Sequence, residues 1–199
     1  AKITPEDVIN ADELGYCIKH LGITRKTEQG IELRVHPTLI PKRQLIANVD
    51  GVMNAVLIEA DAVGSTLYYG AGAGAEPTAS AVVADIVDEV RTLTSSPENR
   101  VPHLAFQNKS LADLTILPID AIETAYYLRL QADDKPGVLA DVTKILGEQE
   151  ISIEAILQKE PLTDSDDATV IMLTHRVIEK NMNEAIKKIE CLDSIKNKV

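Results

Sequence analysis

Thr66-Leu-Tyr-Tyr-Gly-Ala-Gly-Ala-Gly-Ala-Glu-Pro-Thr-Ala-Ser-Ala-Val-Val-Ala-Asp-Ile-Val-Asp-Glu-Val-Arg91 reads as a short strand, a glycine loop and a helix, and it organises the first half of the chain. Leu67, Tyr68 and Tyr69 have the bulk that strands favour, while Gly70, Gly72 and Gly74 strip the following turn of large side chains. Pro77 suits the first turn of a helix, where a missing N–H costs nothing. Beyond it, Ala79, Val82, Val83, Ile86, Val87, Val90 and Leu93 recur at helical spacing on one face, with Asp85, Asp88, Glu89 and Arg91 on the other. The unbonded N–H groups and positive dipole end of this helix point back into the glycine loop, so the backbone there can hold something anionic or amide-rich.

The spacing Gly-x-Gly-x-Gly is not the dinucleotide fingerprint. After the helix come Ser95, Ser96 and Pro97 in place of a second parallel strand ending in a ribose-binding acid, so a Rossmann reading of this stretch is rejected. A glycine turn of this kind also serves as a bare strand-to-helix connection that binds nothing, and composition alone leaves both readings open.

A chain of 199 residues with 45% hydrophobic content can bury one or two ordinary cores. Its apolar runs fall short of membrane-spanning length and its start lacks a signal-peptide pattern, which predicts a soluble protein. Cys17 and Cys191, without a CxxC pair, predict reduced thiols and a cytoplasmic location. The net charge of −11 is spread evenly: ten basic and sixteen acidic residues precede position 123, ten basic and fifteen acidic follow. Repulsion from phosphate argues against nucleic acid and anionic membrane as partners.

Ile3-Thr-Pro-Glu-Asp7 is a helix entrance with Thr4 as cap, and Val8, Ile9, Leu14, Ile18 and Leu21 predict a helix running toward Gly22, with Gly15 as a break within it. Ile31, Leu33 and Val35 then alternate with Glu32 and Arg34 as a strand does, and Val52 to Ala60 is the most apolar strand of this half. With the strand at 66, these predict an open mixed sheet with flanking helices. The run Ala55-Val-Leu-Ile58 fits an ordinary core or an interface equally in pattern, and core is the expectation. Residues 95 to 122 change to turn chemistry, which predicts a linker tacked down by Leu104 and Phe106. After Thr124 the pattern is strand (Tyr126 to Ala132), helix (Val138 to Leu146), strand (Ile151 to Gln158), polar loop (Asp164 to Asp167), strand (Thr169 to Thr174) and helix (Glu179 to Ile189). That order predicts a ferredoxin-like βαββαβ domain lacking its last strand.

Ala47-Asn-Val-Asp-Gly-Val-Met-Asn-Ala-Val-Leu-Ile-Glu-Ala-Asp-Ala-Val-Gly64, followed by the glycine loop, resembles the C-terminal part of the catalytic region of homoserine dehydrogenases, as does Ala11-Asp-Glu-Leu-Gly-Tyr-Cys-Ile-Lys-His-Leu-Gly22. The resemblance implies an NAD(P)-dependent oxidoreductase interconverting L-homoserine and L-aspartate 4-semialdehyde on the path to threonine, methionine and isoleucine. It places Gly72, Gly74 and Thr78 near the nicotinamide half of the cofactor, and makes the sheet a dimer interface in a homodimer or homotetramer. The substrate signature, the catalytic lysine and the Rossmann domain of that family lie upstream. The expectation is therefore that these 199 residues are part of a longer enzyme, inactive alone, and that none of their own residues is catalytic; Lys2 and Lys19 are not nominated.

Leu130-Gln-Ala-Asp-Asp-Lys-Pro-Gly-Val-Leu-Ala140 resembles the opening of ACT domains, small modules that bind amino acids where two copies meet. Pro136-Gly137 turns sharply into a helix whose N–H groups can hold a carboxylate, Asp133 and Asp134 offer acceptors to an ammonium, and Gln158 can reach the same ligand. Val138, Leu139 and Ile156 would wall the pocket, and L-threonine is the effector the family implies. The expected organisation is α+β: 1–94 catalytic and dimerisation region, 95–122 linker, 123–199 ACT domain. His20, His36, His103 and His175 lack metal spacing, so a metal site is not expected. The competing reading is a free-standing amino-acid-binding or dimerisation protein without catalysis, since many ACT domains bind nothing.

Overall fold

The computed structural model describes residues 3–96, 100, 106–159 and 167–199. Leu104, His103, Lys2 and the 164–166 loop therefore lie outside the described residues. The chain divides into two compact units, Ala1–Leu21 with His36–Asp113 and Gly22–Val35 with Leu114–Val199.

In the first unit, α1 (Pro5–Glu13) is entered through a capping box: the Asp7 N–H donates to Thr4 Oγ1, and Thr4 N–H donates back to the Asp7 carboxylate at 2.8 Å. The predicted long helix does not form. Gly15 takes φ +81°, a left-handed conformation that ends the helix, and Tyr16 opens a strand. That strand, β1 (Tyr16–Lys26), pairs with β2 (Ile31–Pro41), and a separate antiparallel hairpin joins β3 (Met53–Ala60) to β4 (Gly64–Ala71). The α+β class thus holds, but the strands of this half pair two by two instead of forming one open mixed sheet.

Cross-strand neighbours in the hairpin include Val56 with Tyr68 and Leu57 with Leu67. Val56, Leu57, Ile58, Tyr68 and Tyr69 are all exposed, so the expectation that 55–58 is ordinary core fails within this chain. Helix α2 (Ala75–Thr94) has no buried residue; its apolar stripe, Val82, Val83, Ile86, Val87, Val90 and Leu93, lies between 42% and 71% exposed. Periodicity finds an apolar face correctly but does not say what covers it.

The second unit holds the larger core. An antiparallel sheet in the order β6 (Tyr127–Asp133), β8 (Asp167–Thr174), β7 (Ile153–Lys159) carries α3 (Val138–Glu148) and α4 (Glu179–Glu190). Leu128, Leu130, Val170 and Met172 from the strands meet Val142, Leu146, Met182, Ala185 and Ile189 from the helices. A short pair, β5 (Glu123–Thr124) with β9 (Val177–Ile178), leads into α4. The ferredoxin-like order is as expected, with one correction. The free edge of β6 is taken by the segment after α4: Ile195 bridges Ala132 antiparallel, the Asp133 N–H donates to the Ser194 carbonyl and the Lys196 N–H to the Gln131 carbonyl, each at 2.9 Å. The position of the fourth strand is therefore begun, not absent.

The tip of the β1–β2 pair groups with this unit. Ile31 accepts and donates backbone hydrogen bonds with Leu117 and Thr115, so part of the predicted linker runs beside β2. Phe106 is exposed.

Candidate functional site

The glycine loop joins β4 to α2. Gly74 is the helix N-cap at φ +121°, and a Cβ there would also stand 3.3 Å from the Pro77 ring, so this position requires glycine. A Cβ on Gly72 would overlap the Asn54 side-chain amide, so this glycine makes room for a neighbour on β3. The helix begins at Ala75, two residues before the expected Pro77 start, and Thr78 donates its N–H to the Gly74 carbonyl at 3.1 Å. Residues 70 to 78 are exposed, which leaves the bare loop and the helix N-terminus open to close approach by a ligand. Lys19 lies in β1, not in a helix; its ammonium is bonded to the Val49 carbonyl at 2.7 Å and to Asp50 at 2.6 Å.

The second unit contains a cleft of about 180 Å³ lined by Asp133, Asp134, Gly137, Val138, Leu139 and Gln158, joined by Ala132, Lys135, Pro136, Ala168 and Val170. The six residues selected from sequence for an effector thus converge on one cavity. Gly137 caps α3 in the left-handed region at φ +98°, and with Val138 and Leu139 it brings the start of α3 to the cleft lining. Gln158 donates to Asp134 across the cleft at 3.2 Å.

The two aspartates are not equivalent. Asp133 accepts from Lys196 at 2.6 Å and from Lys135 at 2.9 Å, and these hydrogen bonds hold its pKa below the ordinary carboxylate range. The Asp133 carboxylate is therefore engaged by two ammonium groups, whereas Asp134 accepts from the neutral Gln158 amide through Oδ1. Ile156, expected as a wall, is not part of the lining; Ala168 and Val170 of β8 take that role. Sequence order hides these residues, because only the register pairing Ala132 with Ala168 and Gln158 with Val170 brings them to the loop. Two small residues facing each other at a strand end were the signal that could have found them.

Among the described residues, no group of three or more His, Cys, Asp or Glu side chains is placed to hold a metal ion, and no helix is long and apolar enough to cross a membrane.

Residues 1–87 match the homoserine dehydrogenase family model and residues 126–191 the ACT domain model. All 199 residues align with homoserine dehydrogenases of Pseudomonas aeruginosa at 62% identity and Neisseria gonorrhoeae at 54%, in each case over 46% of that protein. The crystal structure of a homoserine dehydrogenase from Thiobacillus denitrificans superimposes with a TM-score of 0.90 at 63% identity, over 98% of this chain and 44% of that one. The chain thus spans a little under half the length of these relatives. It belongs to the homoserine dehydrogenase family, as the C-terminal part that ends in an ACT domain.

Proposed function

We propose that the protein containing this chain interconverts L-homoserine and L-aspartate 4-semialdehyde with NAD(P), in the cytoplasm, and that an amino acid bound to its ACT cleft adjusts the rate. The observation that carries the reading is 62% identity across every residue to a homoserine dehydrogenase. The dinucleotide supplies or accepts hydride when bound. This chain would contribute Gly72, Gly74 and Thr78 to its nicotinamide side: the exposed, side-chain-free turn at the start of α2 suits that approach.

The exposed apolar faces of β3–β4 and α2 support a role at surfaces covered by the remainder of the polypeptide or by a second copy, as in a homodimer or homotetramer. For the cleft the reading is L-threonine, with its carboxylate on the first N–H groups of α3, its ammonium on Asp134, and its short side chain against Val138, Leu139 and Val170. The small floor formed by Ala132 and Ala168 suits a short side chain better than a long one.

Two measurements test the reading. The full-length protein should reduce NAD(P)+ in the presence of L-homoserine, whereas residues 1–199 alone should not; a full-length protein without this activity refutes the enzyme assignment. L-threonine at a hundred times its Kd should raise ACT stability by about 2.7 kcal/mol. No thermal shift with threonine, isoleucine, methionine or lysine would leave the domain as a dimerisation module.

A further inference from the structure

Asp133 is the last residue of β6 and lines the cleft, and it stands in register opposite Asp167 on β8. Two like charges directly opposed at a strand end push the strands apart. Lys196 stands against this pair: its ammonium is 2.6 Å from Asp133, and the charges of Asp167 and Asp193 add to the attraction that raises its pKa. Its own backbone is tied to β6 through the Gln131 carbonyl, and Ser194 accepts from the Asp133 N–H. Beside the cleft, Asp133 and Asp134 of its lining and Asp167 opposite Asp133 thus stand with two ammonium groups, Lys135 of the lining and Lys196 outside it.

We infer that Lys196 is a positioning residue for the effector cleft: by neutralising the opposed aspartates and pinning residues 194–196 to β6, it fixes where the chain leaves the sheet for the Asp134–Gly137 loop. Effector affinity then depends on docking of the segment that follows α4, and by reciprocity a bound effector tightens that docking. The inference rests on the reading of the cleft as an amino-acid site. Lys196 does not line the cleft and has no contact of its own to offer the ligand, so its effect must pass through Asp133.

The test uses the full-length protein with Lys196→Met and Lys196→Arg, reading amide exchange of residues 133–139 without ligand and L-threonine affinity by titration calorimetry. Lys196→Met should speed loop exchange severalfold and weaken threonine about two- to fivefold at low salt, the range for a partly exposed ion pair. Lys196→Arg should restore both, and Asp133→Asn combined with Lys196→Met should be no weaker than Lys196→Met alone. Unchanged exchange in Lys196→Met overturns the inference, as does faster exchange with unchanged affinity. If the wild type binds none of threonine, isoleucine, methionine and lysine, the amino-acid reading of the cleft falls. Exchange then decides the role of Lys196 alone: faster loop exchange restored by arginine upholds it, and equal exchange overturns it.

Discussion

Glu32 is the most exacting residue to perturb. It lies on β2 at 3% exposure, yet it is a carboxylate, and an unpaired charge so deep would cost several kcal/mol. Arg25 answers it with a two-pronged bond, Nε to Oε2 at 2.8 Å and Nη2 to Oε1 at 2.6 Å, and Arg34 adds a third at 3.1 Å. Arg34 is itself only 12% exposed, and its Nε has no hydrogen-bond partner among the described residues. Replacing Glu32 by Gln keeps the shape but removes the charge, so Arg34 stays buried without compensation. Arg25, 37% exposed, can turn to water. Breaking a buried pair costs about 3–5 kcal/mol, and the partial exposure of Arg25 reduces this to about 2–3 kcal/mol here.

The same pair fixes the sign of the acid response. The hydrogen bond from Arg25, the largest influence, holds the folded Glu32 pKa below its ordinary 4.5. The folded state therefore binds this proton less readily than the unfolded state. The contribution is fully present above about pH 4.5 and fades as pH falls through the lowered folded value. Urea unfolding with amide exchange at residues 22–35, on wild type and Glu32→Gln at pH 7 and pH 3.5, reads both effects. A cost below about 0.5 kcal/mol at pH 7, the size of an exposed pair, refutes the argument. So does a gap between the two proteins that is as large at pH 3.5 as at pH 7.

Three further outcomes follow from single residues. Gly74→Val should raise KM for the cofactor and lower kcat in the full-length enzyme, because a β-branched residue resists φ +121° and presses on Pro77; steady-state kinetics unchanged in a folded variant would make the loop a plain connection. Gly137→Ala meets no steric obstacle, so its cost should be the left-handed penalty of about 1–2 kcal/mol, read by thermal unfolding, and a neutral result would deny that the turn is strained for other residues. Tyr126, whose hydroxyl donates to Glu179, has its pKa pushed up first by burial and then by that bond, so an alkaline ultraviolet titration should show a phenol ionising above the ordinary tyrosine range, a step that vanishes in Tyr126→Phe.

The second half was legible because each of its elements carries a local signal that agrees with the whole. Leu128 and Leu130 alternate, Val142 and Leu146 repeat at helical spacing, and Pro136-Gly137 marks the turn between them, so pattern and packing coincide. The cleft was legible for the same reason on its loop side, where Asp133 to Leu139 are neighbours in sequence. Its β8 side and Lys196 were not, because they arrive by strand register and by the segment after α4, which sequence spacing does not encode. In the first half the misreading of residues 16–21 has an equally local cause. Ile18 and Leu21 continue a helical spacing from Leu14, but the left-handed Gly15 breaks the helix, and the pattern has too few turns to show that the period had changed to two.

The apolar stripe of α2 makes the deeper point. Burial of a Val, Leu or Ile side chain is worth about 1.5–3 kcal/mol, so six such residues on one helix face, with Val56, Ile58 and Tyr68 on one face of the hairpin, are a large unfavourable exposure if left to water. An isolated helix gains little from propensity alone, and α2 buries none of its own residues here. These faces are therefore stable only when other surface covers them, and the glycine loop that starts α2 is held between them. Covering α2 and β3–β4 would then fix the geometry of the loop as well as bury apolar area, so covering surface and cofactor approach should be coupled. A polar substitution in the middle of the stripe, Ile86→Gln in the full-length protein, should weaken that cover and raise KM for the cofactor, although Ile86 lies three helical turns from Gly74. Normal cofactor kinetics in an Ile86→Gln protein that has lost assembly or stability would show that the loop holds its shape without the cover.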